Sequence, residues 1–131
     1  MNMKDLMIDI HQTNVEKGFW ENKADRNVGE VLMLCVSELA EALEAHRKNK
    51  KADIAAYKKE AAALPTEEKN NISAINQVFK THIKDSFEDE IADTVIRLFD
   101  MSEAFGIDLE WHVKQKLAYN KSREHKHGKA Y

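Results

Sequence analysis

The sequence predicts an all-α fold, a helical bundle of four to six helices in a single domain over residues 1–131. Three observations carry this. Only four Gly and one Pro occur in 131 residues. Runs of β-branched residues, the mark of strands, are scarce. In several stretches apolar residues recur every three or four positions, the repeat that lines one face of a helix.

Each element follows from its own signals. Residues Met3 to Lys17 read as a first helix, with Leu6, Ile10, Thr13 and Asn14 on one face and Gly18 as its stop. Phe19 and Trp20 fall in the connecting loop. Asn27 is placed to cap a long second helix to about Lys48, because a short side-chain oxygen can accept from the first turn. Its expected core positions are Val28, Val31, Leu32, Leu34, Cys35, Leu39, Ala42 and Leu43. Beyond it the chain is less regular. Asp53 caps a helix through Ile54, Tyr57 and Leu64, and Pro65 breaks it by fixing φ and removing a donor. A fresh period begins at Ile72 and takes in Ile75, Val78, Phe79 and Ile83. Asp85 or Ser86 can cap a new helix there, but the pattern favours a helix that simply continues to Phe105. Gly106 ends it. Asp108 caps a last helix through Trp111, Val113 and Leu117, finishing near Arg123. Residues 124–131 show no period and are expected to form a flexible tail.

Composition narrows the partners. Apolar residues are 43% of the chain and charged residues 33%, which fits a soluble protein with a heavily solvated surface. The formal net charge of −3 gives no electrostatic drive toward duplex nucleic acid, whose phosphates call for clustered cations. The basic run Arg47-Lys48-Asn49-Lys50-Lys51 sits at a helix end, where cations complement the dipole. Cys35 is the only cysteine, so no intrachain disulfide forms. No stretch resembles a signal peptide or reaches membrane-span length, so the expectation is a cytoplasmic protein without a membrane partner.

The informative feature is a set of acids placed among apolar residues. In Glu38-Leu39-Ala40-Glu41 the two carboxylates lie three apart, in line with Val31, Leu34 and Ala45 on one helix face. Glu90-Ile91-Ala92-Asp93 repeats the arrangement, with Glu90 continuing the row Phe79, Ile83, Phe87. Two like charges at this spacing destabilise a helix by roughly 0.2–0.5 kcal/mol even in water. Turning them inward costs on the order of several kcal/mol per ion unless something neutralises the charge. A single Glu-x-x-Glu is commonly a solvated surface pair, and Arg97, one turn beyond Asp93, offers a surface partner. Two such pairs, each in an apolar stripe, point to a bound cation. All-oxygen ligands favour a hard ion, Mg²⁺ or Mn²⁺, over zinc.

This ordered pair of motifs resembles the all-α NTP pyrophosphatase superfamily, whose signature is E-x-x-E on one helix and E-x-x-D on a later one. Within it the chain is most similar to single-domain MazG-like proteins. The matching stretches are Ser37 to Ala45, Glu88 to Asp93, Lys116 to Arg123 and the His-Gly-Lys of residues 127–129. The resemblance implies a MazG-like domain over the whole chain, assembled as a homodimer or homotetramer. It implies Mg²⁺-dependent hydrolysis of an NTP or dNTP to the monophosphate and pyrophosphate, as in nucleotide-pool house-cleaning. It assigns Glu38, Glu41, Glu90 and Asp93 as metal ligands. His11 and Trp20 resemble residues that flank the base in related enzymes, Asn120 a nucleotide-contacting Asn, and Lys116, Lys121 and Arg123 stand where phosphate contacts are expected. Glu41 is the expected general base toward the attacking water. The sequence departs from compact members in a longer helical insertion at residues 49–84, which leaves base preference open. Two other readings compete: a phosphoribosyl-ATP pyrophosphohydrolase, disfavoured by that insertion, and a non-catalytic helical assembly module.

Overall fold

The computed structural model describes residues 1–131, the side chain of His127 apart. Six α-helices and two short 3₁₀ turns form the described residues, with no strand among them. None of these helices is long and apolar enough to cross a membrane. Packing divides the chain into two compact units, one of Met1–Arg26 with Leu98–Tyr131 and the other of Asn27–Arg97.

The first unit holds α1 (Met3–Glu16), α6 (Leu109–Lys121) and the last turns of α5 (Phe87–Ala104). The Asn2 side chain accepts from the Asp5 N–H at 2.8 Å and starts α1, whose buried residue is Met7. Gly18 stops α1 at φ +86°, and its N–H and that of Phe19 donate to the carbonyls of Val15 and Asn14. Gly106 closes α5 in the same way at φ +67°. These left-handed positions favour a residue without Cβ. Asp108 accepts from the Trp111 N–H at 3.1 Å and starts α6. Helix α6 buries none of its residues; Trp111, Val113 and Leu117, read as its apolar face, are all exposed. The tail is not wholly without structure, since His125–Gly128 forms a 3₁₀ turn.

The second unit holds α2 (Val28–Arg47), α3 (Ile54–Ala63), α4 (Ile72–His82) and the first turns of α5. Asn27 and Asp53 cap α2 and α3 as expected, accepting from Glu30 N–H at 3.1 Å and Ala56 N–H at 2.8 Å. Asn71 caps α4. Residues 49–84 form a helical hairpin: Tyr57 and Phe79 meet edge to face, and His82 Nε2 pairs with Glu60 at 2.5 Å. Its base is closed by hydrogen bonds of 2.9 Å from Asp53 N–H to the His82 carbonyl and from Phe87 N–H to the Lys50 carbonyl. The end of α2 therefore lies beside the start of α5.

Two expectations are corrected here. The helix does not continue from α4 into α5. Asp85 takes φ +58°, Ser86 Oγ accepts from the Asp89 N–H at 3.2 Å, and the Asp89 carboxylate accepts from the Asp85 N–H at 2.9 Å. This reciprocal capping satisfies donors that a continuing helix would satisfy internally, and it breaks the row Phe79, Ile83, Phe87, Glu90. On α2, only part of the expected core is covered. Val31, Cys35, Glu38, Ala42 and Ala45 form the buried row, while Val28, Leu32, Leu39 and Leu43 are about half exposed. A helix apolar on more than one face cannot turn all of them into one core.

Candidate functional site

The buried row of α2 has a carboxylate at its centre. Glu38 is only 7% exposed, and it is there because its helical register falls between Cys35 and Ala42. On α5, Glu90 is 5% exposed and Asp93 is half-buried. One carboxylate oxygen from each of Glu38, Glu90 and Asp93 lies within 4.8 Å of the other two. Arg97 does not act as a surface partner of Asp93; its Nε donates to Glu38 Oε1 at 2.5 Å. That leaves three acids facing one guanidinium.

The excess charge is visible in the acids' proton affinity. Burial pushes the Glu90 carboxyl up to about 7, and the neighbouring carboxylates of Glu41, Asp93 and Glu38 add to the shift. Asp93 is also raised, first by burial, then by Asp89 and Glu38, with Arg97 pulling the other way. Like charges that share a site cannot all ionise cheaply without a cation. Glu41 stands apart from the three-oxygen cluster. It is exposed on the rim, yet it is the largest charge influence on Glu90 and lines one cavity with it. The three converging acids could hold a metal ion, and a donor set of oxygens alone suits a hard one.

In the first unit, His11 and Trp20 come together, with ring centroids 5.5 Å apart and edge to face. Both are tied to Asp100, a buried acid that the sequence reading did not single out. His11 Nδ1 lies 2.7 Å from Asp100 Oδ1, Asn14 Nδ2 donates to Oδ2 at 2.7 Å, and Trp20 Nε1 donates to both oxygens at 3.0 and 3.1 Å. The signal was present: Asp100 interrupts the apolar run Leu98-Phe99-Asp100-Met101, as Glu90 interrupts its own. Trp20 is buried, with Phe105 edge-on at 6.0 Å and the Arg26 guanidinium 5.2 Å above its ring.

The remaining predicted contacts lie on or just after α6. Lys116 and Asn120 share an open groove with His112, Val113 and Leu117. Asn120 Oδ1 is buried without a hydrogen-bond partner. Lys116 and Arg123 both lie over the Tyr119 ring, at 5.0 and 5.5 Å, and Lys121 is exposed. No family model, no curated protein and no solved structure matches the chain.

Proposed function

We propose that this protein is a Mg²⁺-dependent (or Mn²⁺-dependent) nucleoside triphosphate pyrophosphohydrolase of the MazG-like kind, acting in the cytoplasm on NTPs or dNTPs. One observation carries the reading: Glu38, Glu90 and Asp93 bring their oxygens within 4.8 Å with a single arginine to offset them. Leaving such a cluster uncompensated is costly, and a hard divalent cation removes the cost. Glu38, Glu90 and Asp93, joined by Glu41 from the rim, would hold the ion. A bound Mg²⁺ supplies charge neutralisation on the phosphate oxygens and eases deprotonation of the attacking water.

The chain's own residues do the rest. Glu41, exposed and beside Glu90, takes the proton from that water as general base. Arg97 holds Glu38 in one orientation, so the ligand is positioned before the substrate arrives. By resemblance, His11, Trp20 and Asn120 contact the base and sugar, and Lys116, Lys121 and Arg123 the phosphates. The assembly is a homodimer or homotetramer. In its favour, Leu32, Val36, Leu39 and Leu43 form a half-exposed apolar stripe along α2, the kind of surface that a partner covers.

The test is release of pyrophosphate from a panel of NTPs and dNTPs with Mg²⁺ or Mn²⁺. The expected result is metal-dependent release that Glu38→Gln and Glu90→Gln reduce at least a hundredfold, in line with losing a ligand or its support. Absence of release from every nucleotide by the wild type overturns the proposal; Mg²⁺ binding without release assigns the acids to assembly instead.

A further inference from the structure

A cavity of about 240 Å³ opens where α2 ends and α5 begins, and its walls carry both signs of charge. Glu41, Glu90 and Asp85 face it together with Lys48 and Lys50. Its volume falls below the roughly 300 Å³ at which pockets begin to hold a whole small-molecule ligand, so it fits one end of a nucleotide. Acids alone would make it a cation site. The two lysines call for a different occupant.

Their placement is built into the backbone. Helix α2 ends on Asn49 at φ +54°, with Asn49 N–H donating to the His46 carbonyl and Lys50 N–H to that of Ala45. The Lys50 carbonyl accepts from the Phe87 N–H at 2.9 Å, so the Lys50 backbone is held on both sides. Asp85, across the same cavity, is also in the left-handed region at φ +58°. Asn and Asp take this conformation more readily than other residues with a Cβ, and here it turns the chain just before Lys50 and just before α5. Lys50 Nζ stands 3.9 Å from Asp85 Oδ2, whereas Lys84 engages the other oxygen of Asp85 at 2.5 Å. The Lys50 ammonium is thus loosely held, half exposed, and has donors to spare. Lys48 is more closely paired, with Glu44 at 3.1 Å.

We infer that this cavity seats the terminal phosphates of a metal-bound polyphosphate, with Lys50 donating to the departing pyrophosphate and Lys48 at the rim. The inference rests on the hydrolase reading above and adds residues that the resemblance does not assign. It also makes binding of the phosphates depend on the cation. Glu41, Glu44, Asp85 and Glu90 outnumber Lys48 and Lys50 around the cavity, so without cations it repels an anion. With a cation held there the phosphates would be accepted, and the lysines would face the oxygens that carry charge as the anhydride bond breaks.

Calorimetric titration of the full chain with inorganic pyrophosphate, with and without Mg²⁺, tests this alongside a separate Mg²⁺ titration. Wild type binds pyrophosphate only when Mg²⁺ is present. Lys50→Gln weakens that binding about tenfold, the scale of one charge-assisted hydrogen bond, and leaves Mg²⁺ affinity unchanged. Lys50→Arg restores most of the loss, Lys48→Gln shows a smaller one, and Lys58→Gln on exposed α3 shows none. If Lys50→Gln and Lys48→Gln both bind Mg²⁺-pyrophosphate like wild type, the inference falls while the hydrolase reading stands. If wild type binds pyrophosphate equally well without metal, that dependence is wrong and the inference falls with it. If wild type binds Mg²⁺ and pyrophosphate under no condition, both readings fall.

Discussion

Single side chains here carry charge where charge is expensive. Glu90 has an ordinary value of 4.5 and is pushed to about 7 by burial and its acidic neighbours. Between those two values the folded, metal-free protein holds a proton that the unfolded chain has lost. Its stability therefore falls as pH rises from 4.5 to about 7 and levels off above, the reverse of a salt-bridged carboxylate. Glu90→Gln removes this slope and is more stable than wild type at pH 8 in EDTA; urea midpoints across pH measure both. An identical slope in the two proteins would show that Glu90 is not the group responsible. Asp100 is the opposite case, a buried acid with every partner in place. Asp100→Asn replaces one acceptor oxygen by an NH2 group, which then faces either His11 or Asn14. It is expected to cost about 1–3 kcal/mol in thermal unfolding, because a buried donor then lacks its acceptor.

At the scale of elements, the helix ends do most of the positioning. The chain reads its caps locally: Asn2, Asn27, Asp53 and Asp108 each accept from the N–H three residues further on, in the helix that they start. Gly18 and Gly106 stop helices because only a residue without Cβ takes a positive φ without strain. At Gly106 a Cβ would meet nothing within 4 Å, so Gly106→Ala probes backbone strain alone. It is expected to destabilise the fold by about 1–2 kcal/mol without changing the far-ultraviolet spectrum. A substitution that left the melting temperature unchanged would mean that the turn can relax. The hairpin of α3 and α4 matters through its base: the bonds from Phe87 to Lys50 and from Asp53 to His82 set the end of α2 beside the start of α5. Those ends carry Glu41, Lys48 and Lys50 on one side and Asp85 and Glu90 on the other.

For the molecule as a whole, the half-exposed stripe of α2 bears on assembly. Leu39 and Leu43 are each 50% exposed, in line with Leu32 and Val36 one and two turns earlier. Burying such a row against a partner gains about 25 cal/mol per Å² of apolar surface, and placing charge in it removes that gain. The double substitution Leu39→Glu with Leu43→Glu is expected to convert a dimer or tetramer to a monomer by light scattering, with helix content retained. A wild type that is already monomeric at micromolar concentration would remove the stripe from the argument for assembly.

The sequence by itself determined the helical class, three of the caps (Asn27, Asp53 and Asp108), both glycine stops and the acids that stand out of place. All of these are local: a cap or a stop is set by a few neighbouring residues, and an acid inside an apolar row is conspicuous at helical spacing. Tertiary structure decided what spacing cannot express. It broke the expected long helix at Asp85 and Ser86, because side-chain caps there outcompete a continuing turn. It chose which apolar face of α2 to bury, leaving Leu39 and Leu43 outside. It gave Arg97 to Glu38 rather than Asp93, set Glu41 at the rim of the cluster, and drew His11, Asn14 and Trp20 onto Asp100. Apart from the break, whose caps are local, those outcomes depend on residues far apart in the chain, whose meeting is fixed by packing and by the cost of leaving a buried charge or donor without a partner.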